Sequence, residues 1–213
     1  MPRIPVRSVA VLSLVLLAGC ASNPPAHRVW VGPRIDLKPL EIIGMVDFTS
    51  TSKGSLAELA TRRFAEAARR DQDMVRMIDV GSGPAALASV GKSQWTPEAC
   101  RAIAREHGVK TLIRGTLTLS NVRPNVQVSA LWRSGQVTAQ VDATLEVEMV
   151  EAETGASIWS RSASATRSVA QVSVYGGNSF DFNAADPEAA YGDLVGDLVS
   201  RVAADLQGSW QTQ

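Results

Sequence analysis

The chain has 213 residues, of which 21 are basic and 21 are acidic, with two cysteines and two histidines. A neutral charge balance provides no basic excess for binding nucleic acid, so we expect no nucleic-acid partner. So few cysteines and histidines exclude a disulfide framework and predict no metal site, while the length suits one well-buried domain.

The first twenty residues have the layout of a bacterial export signal. Arg3 and Arg7 make a basic start, an apolar run follows over 9–16, and small residues precede Cys20. A short transmembrane helix with an incidental cysteine is the alternative, but the run is shorter than the ~20 residues that a spanning helix needs. The pattern therefore predicts a signal peptide over 1–19.

The end of this leader, Leu17-Ala18-Gly19-Cys20, resembles the lipobox of bacterial lipoproteins. The resemblance implies that Cys20 becomes the first residue and carries a diacylglycerol thioether and an N-acyl chain. This covalent lipid is the only cofactor that we expect, and it makes the membrane a partner. Ala21 follows the cysteine where an Asp would favour the inner membrane, so the expected location is the periplasmic face of the outer membrane.

Residues 20–39 are predicted to form a tether. Four prolines and Gly32 oppose regular secondary structure in this segment. Trp30 lies between two valines and is expected to dock onto its own domain or onto a neighbouring subunit. A single periplasmic domain is then expected over 40–208.

The domain begins with a strand and a helix. The apolar run over 41–49 is typical of a central strand that is buried on both faces. Ser55 and Glu58 form a capping-box pattern at the start of a helix whose apolar residues recur at helical spacing.

A second strand and a second helix follow. The strand is predicted over 74–80, and Gly81-Ser82-Gly83-Pro84 is interpreted as a turn without a helix that could hold a phosphate. A short helix over 85–90 is left open. Thr96 caps the next helix and Gly108 ends it, which places Cys100 on the buried face as a small apolar residue.

Four strands are expected next, over 109–120, 126–132, 137–150 and 158–166. Gly115 in the first indicates a bulge or a close approach. The third shows strict alternation of apolar and polar residues, which predicts a long strand with one buried face and one wet face.

The segment 168–183 has the alternation and central glycines of a hairpin. Its limbs are short, so we interpret it as a contact device outside the core and expect its deletion to leave a folded domain. The last helix begins with Asp186 as cap and Pro187 at its first position. The possible interaction surface consists of Trp132, Val172, Val174, Tyr175, Phe180 and Phe182.

The order of elements is β-α-β-α-β-β-β-β-α, with a short hairpin before the final helix. It predicts an α+β fold, an α/β sandwich in which amphipathic helices cover a mixed sheet. The order and three motifs resemble the CsgG-like family of outer-membrane assembly lipoproteins, which includes the LpoB-like activators of penicillin-binding proteins and a polysaccharide-export ring lipoprotein. The motifs are Ile43–Phe48, Glu106–Gly115 and Val147–Gly155 followed by Ile158-Trp159-Ser160.

No catalytic residue is predicted. Asp142, Glu146 and Glu148 lie on one strand face, with neighbours two apart separated by about 6.6–7 Å, near the spacing of inverting glycosidases. Acids on a wet strand face are more often solvated, and no other catalytic motif accompanies them.

The resemblance implies a non-enzymatic outer-membrane lipoprotein that acts as an oligomeric component of cell-envelope export or assembly. In this hypothesis the partners are other copies of the chain or other envelope proteins. The alternative is a periplasmic lipoprotein that binds and activates a peptidoglycan synthase.

Overall fold

A computed structural model describes residues 27–125, 138–175 and 179–212. Its strands in chain order are β1 (Arg28–Val31), β2 (Ile42–Asp47), β3 (Thr49–Ser50), β4 (Lys53–Gly54), β5 (Arg76–Ser82), β6 (Thr111–Asn125), β7 (Thr138–Glu151), β8 (Ser157–Ala170), β9 (Ser173–Tyr175), β10 (Ser179–Phe182) and β11 (Ser209–Thr212). Its α-helices are α1 (Leu56–Arg69), α2 (Gly83–Ser89), α3 (Pro97–His107) and α4 (Pro187–Val202), and 3-10 turns cover Lys38–Leu40 and Ala203–Leu206. The leader with Cys20, the predicted strand over 126–132 and Trp132 lie outside the described residues.

The main sheet has the order β5-β2-β6-β7-β8, and β3 pairs with β6 beside this path. The strands β5, β2 and β6 run parallel, while β6, β7 and β8 form an antiparallel meander. This mixed sheet with helices packed on it confirms the predicted α+β fold class. The predicted long alternating strand is β7, and its apolar positions are buried from Ala139 to Met149.

The two faces of the sheet pack against different helices. One face contacts α1 and α4 through a large apolar cluster that includes Phe64, Leu145 and Leu198. The other face is covered by α2 and α3 near β5 and β2, through a smaller cluster that includes Ile103. Among the described residues, no helix beyond α2 and α3 covers the second face of β6, β7 and β8. The sheet is therefore apolar on one side and only half covered on the other.

Local signals explain how most elements begin and end. The Thr96 hydroxyl accepts a hydrogen bond from the Ala99 amide, and the Asp186 carboxylate accepts one from the Ala189 amide. Gly108 takes the left-handed conformation that ends α3, with φ of 65°. At Gly115 a Cβ atom would lie 2.8 Å from the Phe48 ring, which confirms a close approach at this glycine.

Two local predictions were wrong. The Ser55 side chain makes no cap bond, because its hydroxyl donates to the Phe182 carbonyl instead. A helix does begin at Gly83, with the Ser82 hydroxyl accepting from the Ala85 amide. Since α2 has only seven residues and Pro84 occupies its first turn, this end resembles no phosphate loop.

The predicted tether also ends earlier than expected. Leu37 is fully buried in the main apolar cluster, and the amide side chain of Gln72 holds the segment in place. Its oxygen accepts from the Leu37 amide at 2.9 Å, while its nitrogen donates to the carbonyls of Ile35 at 2.7 Å and Leu206 at 2.8 Å. The compact unit that contains the sheet spans Gly32–Ser209 rather than 40–208.

A second, smaller unit contains both ends of the described chain. In it β1 and β11 form a two-stranded sheet, which we call the terminal ribbon. The rings of Trp30 and Trp210 meet edge to face with centroids 5.4 Å apart. Trp30 thus packs against the other end of the described chain, in the smaller unit, and the expected docking onto the domain or onto a neighbouring subunit stays a prediction.

We predict that Gln72→Leu lowers the free energy of unfolding by about 3 kcal/mol or more. The substitution removes the partner of three backbone groups, of which those of Leu37 and Leu206 are buried, and each buried group left without a partner costs roughly 1–3 kcal/mol. Urea unfolding followed by circular dichroism measures the change. The matched control is Lys38→Ala, which removes only an exposed ion pair with Asp73 and should cost less than about 1 kcal/mol. Equal losses in the two variants would contradict a specific role for Gln72.

Candidate interaction surface

The predicted hairpin is present, but two of its side chains belong to the core. β9 and β10 pair antiparallel, and β10 also pairs with β4 in parallel. Val172 is 5% exposed and Phe182 is fully buried, so neither side chain is available to a partner in the folded chain. Phe180 is half-buried against the same cluster. The prediction of an interaction surface is therefore wrong for Val172 and Phe182.

The hairpin contacts α4 on one side and the segment of β4 and Ser55 on the other, although its strands are short. The Phe182 ring packs edge to face on Tyr191 of α4, with centroids 5.8 Å apart. The Tyr191 hydroxyl donates to the Gln171 carbonyl, and the Phe182 carbonyl accepts from the amide of Ser55. A Cβ atom at Gly54 would lie 2.2 Å from that carbonyl, so the approach of β4 requires glycine. Deletion of 168–183 is therefore expected to unfold the domain rather than to spare it.

Within the described residues, the open part of the second sheet face is polar. The β6-β7-β8 register places polar side chains side by side across the three strands, and most of them carry a hydroxyl group. All of them are exposed or half-buried. We call this surface the polar face. Its rows are Arg114–Glu148–Ser160, Thr116–Glu146–Ser162, Thr118–Thr144–Ser164 and Ser120–Asp142–Thr166.

The acids on the polar face are mostly committed to partners. Asp142 accepts from the Thr166 hydroxyl at 2.8 Å, and Asn121 and Arg123 donate to it as well. These bonds hold the pKa of the Asp142 carboxyl below its usual range, with the Thr166 bond as the largest cause. They also bridge the irregularity in β6 between Ser120 and Arg123. Asp142 is thus a bridge between strands.

Glu148 is held in a similar way. It forms an ion pair with Arg114, whose guanidinium also lies 5.1 Å from the centre of the Trp95 ring. Of the three acids that the alternation of β7 places together, only Glu146 has no ion pair among the described residues.

A groove begins where the polar face meets α2 and the loop before α3. It has a volume of about 770 Å³ and is lined by Trp95, Arg114, Glu146, the end of β2 and the stretch of β8 around Arg161. Asp47 lies at its margin. Burial raises the pKa of the Asp47 carboxyl, and the like charges of Asp79 and Glu58 raise it further.

The outer edge of β8 is the other prominent feature. β8 has 14 residues and pairs with β7 along one side only within the described ranges. The Ser164 carbonyl accepts from Arg201, and the Thr166 carbonyl accepts from Arg167. These bonds indicate that the backbone groups of even-numbered residues point away from β7, since a strand's groups alternate in direction. The outward carbonyls of Ser164 and Thr166 thus have arginine partners. The part of β8 before them, which includes Ser162, takes no part in these two hydrogen bonds.

Cys100 is buried, as its position on the helix predicts. Cys100 lies in the smaller apolar cluster, where burial raises the pKa of its thiol. Among residues 27–125, 138–175 and 179–212, no group of His, Cys, Asp and Glu side chains could hold a metal ion. No helix in the same ranges is long and apolar enough to cross a bilayer.

Comparison with known proteins gives distant structural likenesses. No family model and no curated protein matches the sequence. The chain is similar to PelC of Paraburkholderia phytofirmans, solved as a dodecamer, with 14% identity and a TM-score of 0.46 over 85% of this chain and 97% of that chain. It is similar to the LpoB C-terminal domain of Escherichia coli, with 18% identity and a TM-score of 0.37 over 60% and 84%. It is also similar to the lipoprotein GNA1162 of Neisseria meningitidis, with 11% identity and a TM-score of 0.38 over 60% and 81%. At these scores the likenesses assign neither a family nor a function.

We predict that Phe182→Ala lowers the free energy of unfolding by about 3–5 kcal/mol, because it leaves a cavity among buried side chains. Phe180→Ala, a neighbouring change at a half-buried position, should cost about 1–2 kcal/mol. Chemical denaturation of both variants measures the difference. Similar small losses would show that the hairpin lies outside the core.

We predict that Asp47→Asn stabilises the fold at about pH 7 but not at about pH 3. At low pH the carboxyl is protonated in both states and contributes nothing. As the pH rises, the Asp47 carboxyl ionises in the unfolded chain before it ionises in the folded chain, because its pKa is raised by folding. The wild type therefore loses stability until the pH passes the folded-state pKa, and the loss persists at higher pH. Urea midpoints at both pH values test this, with Asp73→Asn on the exposed surface as the control. A gain of equal size at both pH values would contradict the assignment.

Proposed function

We propose that this chain is a lipid-anchored, non-enzymatic component of the bacterial cell envelope that assembles with other copies of itself to support export or assembly of a surface polymer. The leader and its lipobox-like end at Cys20 support the anchor. The commitment of Asp142 and Glu148 to arginine partners supports a binding role over catalysis.

The outer edge of β8 is the observation that carries the proposal. An edge strand presents a row of unpaired backbone donors and acceptors, and proteins usually blunt such edges with proline, lysine or short length. β8 is long and contains neither proline nor lysine. Its Arg161 and Arg167 side chains form ion pairs with Asp205 and Asp197. The edge is therefore suited to receive a strand from another subunit.

The mechanism is geometric. Lipid anchors keep all copies at one membrane, and pairing at the β8 edge joins neighbouring sheets. Pairing of the β8 edge with a different surface of the next subunit closes into a ring when the rotation between subunits permits. The polar face of each subunit, rich in hydroxyl groups, then becomes one surface of the assembly.

A monomeric regulator that binds a peptidoglycan synthase is the second candidate. The arginine bonds to the Ser164 and Thr166 carbonyls favour it, because they shorten the open edge to a length that suits one short strand of a partner. Oligomeric state separates the two candidates. Native mass spectrometry of the lipidated chain in detergent should show a discrete oligomer, and a monomer at all concentrations would reject the assembly in favour of the regulator.

We predict that Ser162→Pro keeps the domain folded and abolishes self-association. Proline at this position removes the backbone N–H of residue 162. Ser162 is even-numbered, like Ser164 and Thr166, so this N–H points outward from β8 and is not needed for pairing with β7. The control Ser162→Ala removes only the side chain and should associate like the wild type. Light scattering after size-exclusion chromatography measures mass, and circular dichroism checks the fold. Unchanged mass in a folded Ser162→Pro variant would exclude the edge as the interface.

A further inference from the structure

The terminal ribbon leaves large apolar side chains exposed to solvent on both of its strands. All eight residues of β1 and β11 are exposed. Trp30 is 45% exposed and Trp210 is 64% exposed, and Val29 and Val31 are 40% and 38% exposed. Strand alternation places the two valines on the face opposite Trp30, so both faces of the ribbon carry apolar side chains.

Such a ribbon is expected to be covered by something. Two strands alone are marginally stable in water, and exposed tryptophan next to valine costs hydration free energy. A specific protein interface generally uses about 20–30 residues on each side, whereas the ribbon has two four-residue strands. The ribbon is therefore too small to be a protein interface by itself.

We propose that the terminal ribbon inserts its tryptophans into the interfacial region of a phospholipid bilayer, as a second membrane attachment beside the lipid on Cys20. Tryptophan suits this depth because its ring is apolar while its N–H can bond at the headgroup level. This inference rests on the proposed lipid anchor for its geometry.

The sequence distance from the anchor favours a bilayer. Arg28 lies eight residues after Cys20, and an extended chain of that length reaches about 30 Å at most. The ribbon is therefore always within reach of the membrane that holds the anchor.

The charge of the ribbon also fits. The sequences Arg28-Val-Trp-Val31 and Ser209-Trp-Gln-Thr212 contain one arginine and no acid. The Arg28 guanidinium can pair with the phosphate of an anionic headgroup while the indole rings lie slightly deeper. Both ends of the described chain are then held at the same membrane.

The test uses the mature chain with Cys20→Ser, so that any vesicle binding occurs without the lipid. The probes are vesicles of phosphatidylethanolamine and phosphatidylglycerol with brominated acyl chains, which quench tryptophan at membrane depth. We expect the vesicles to quench the fluorescence of this chain, and Trp30→Phe with Trp210→Phe to remove the quenching. Trp30→Ala with Trp210→Ala should weaken vesicle binding about tenfold or more, because each indole buries on the order of 100 Å².

The control is Met74→Ala, which removes a fully exposed apolar side chain outside both the ribbon and β8 and should bind vesicles like the Cys20→Ser chain. Unquenched fluorescence and vesicle affinity unchanged by the double alanine variant would overturn the inference. A loss of self-association in that variant without any effect on vesicles would assign the ribbon to a second copy instead. Mass spectrometry of the full chain reports acylation of Cys20 separately, so failure of the anchor and failure of the ribbon are distinguishable.

Discussion

The alternation of β7 is the constraint on which the domain depends. Its odd-numbered residues from Ala139 to Met149 are buried against α1 and α4, and its even-numbered residues face the other way. A shift of one residue in register would expose the whole apolar set. Because β7 lies between β6 and β8, the same alternation fixes which side chains of those two strands point outward. The residues of the polar face are therefore determined by which residues of β7 are buried in the core.

The open half of the sheet then serves a different purpose from the covered half. α2 and α3 cover the end of the sheet near β5, while the rest of that face carries hydroxyl groups and paired charges. These charges neutralise one another across strands, as Arg114 does with Glu148. The face is thereby polar without being strongly acidic, and the pairs also fix the register of β6 on β7.

Long periodic elements could be predicted from the sequence, because the regular spacing of their apolar residues indicates the same secondary structure along the whole element. The helix from Pro187 and the strand around Leu145 are examples. The role of Ser55 could not be predicted in this way, because its hydroxyl bonds to a carbonyl far away in sequence, that of Phe182. Leu37 was assigned to a tether for the same reason, as its partner Gln72 lies in a distant segment. Short limbs likewise concealed that Phe182 reaches the core.

The candidate site was predicted less well than the fold. A surface is defined by what remains uncovered after packing, and the sequence around Val172 and Phe182 carries the same apolar signal whether it faces a partner or the core. The open edge of β8 depends on strand order and on the direction of backbone groups. Its signal in the sequence was limited to the absence of proline and lysine.

The Gln72 side chain joins the segments around Ile35 and Leu206, and the terminal ribbon joins β1 to β11. Both links connect the two ends of the described chain across almost its whole length. Contacts between residues so far apart in sequence have a higher entropic cost of loop closure than contacts between neighbours, so we expect them to form late in folding. The meander of β6, β7 and β8 consists of neighbours in sequence and is favoured to form early. A chain that is synthesised from its amino end would therefore leave β1 without its partner strand until β11 has been made.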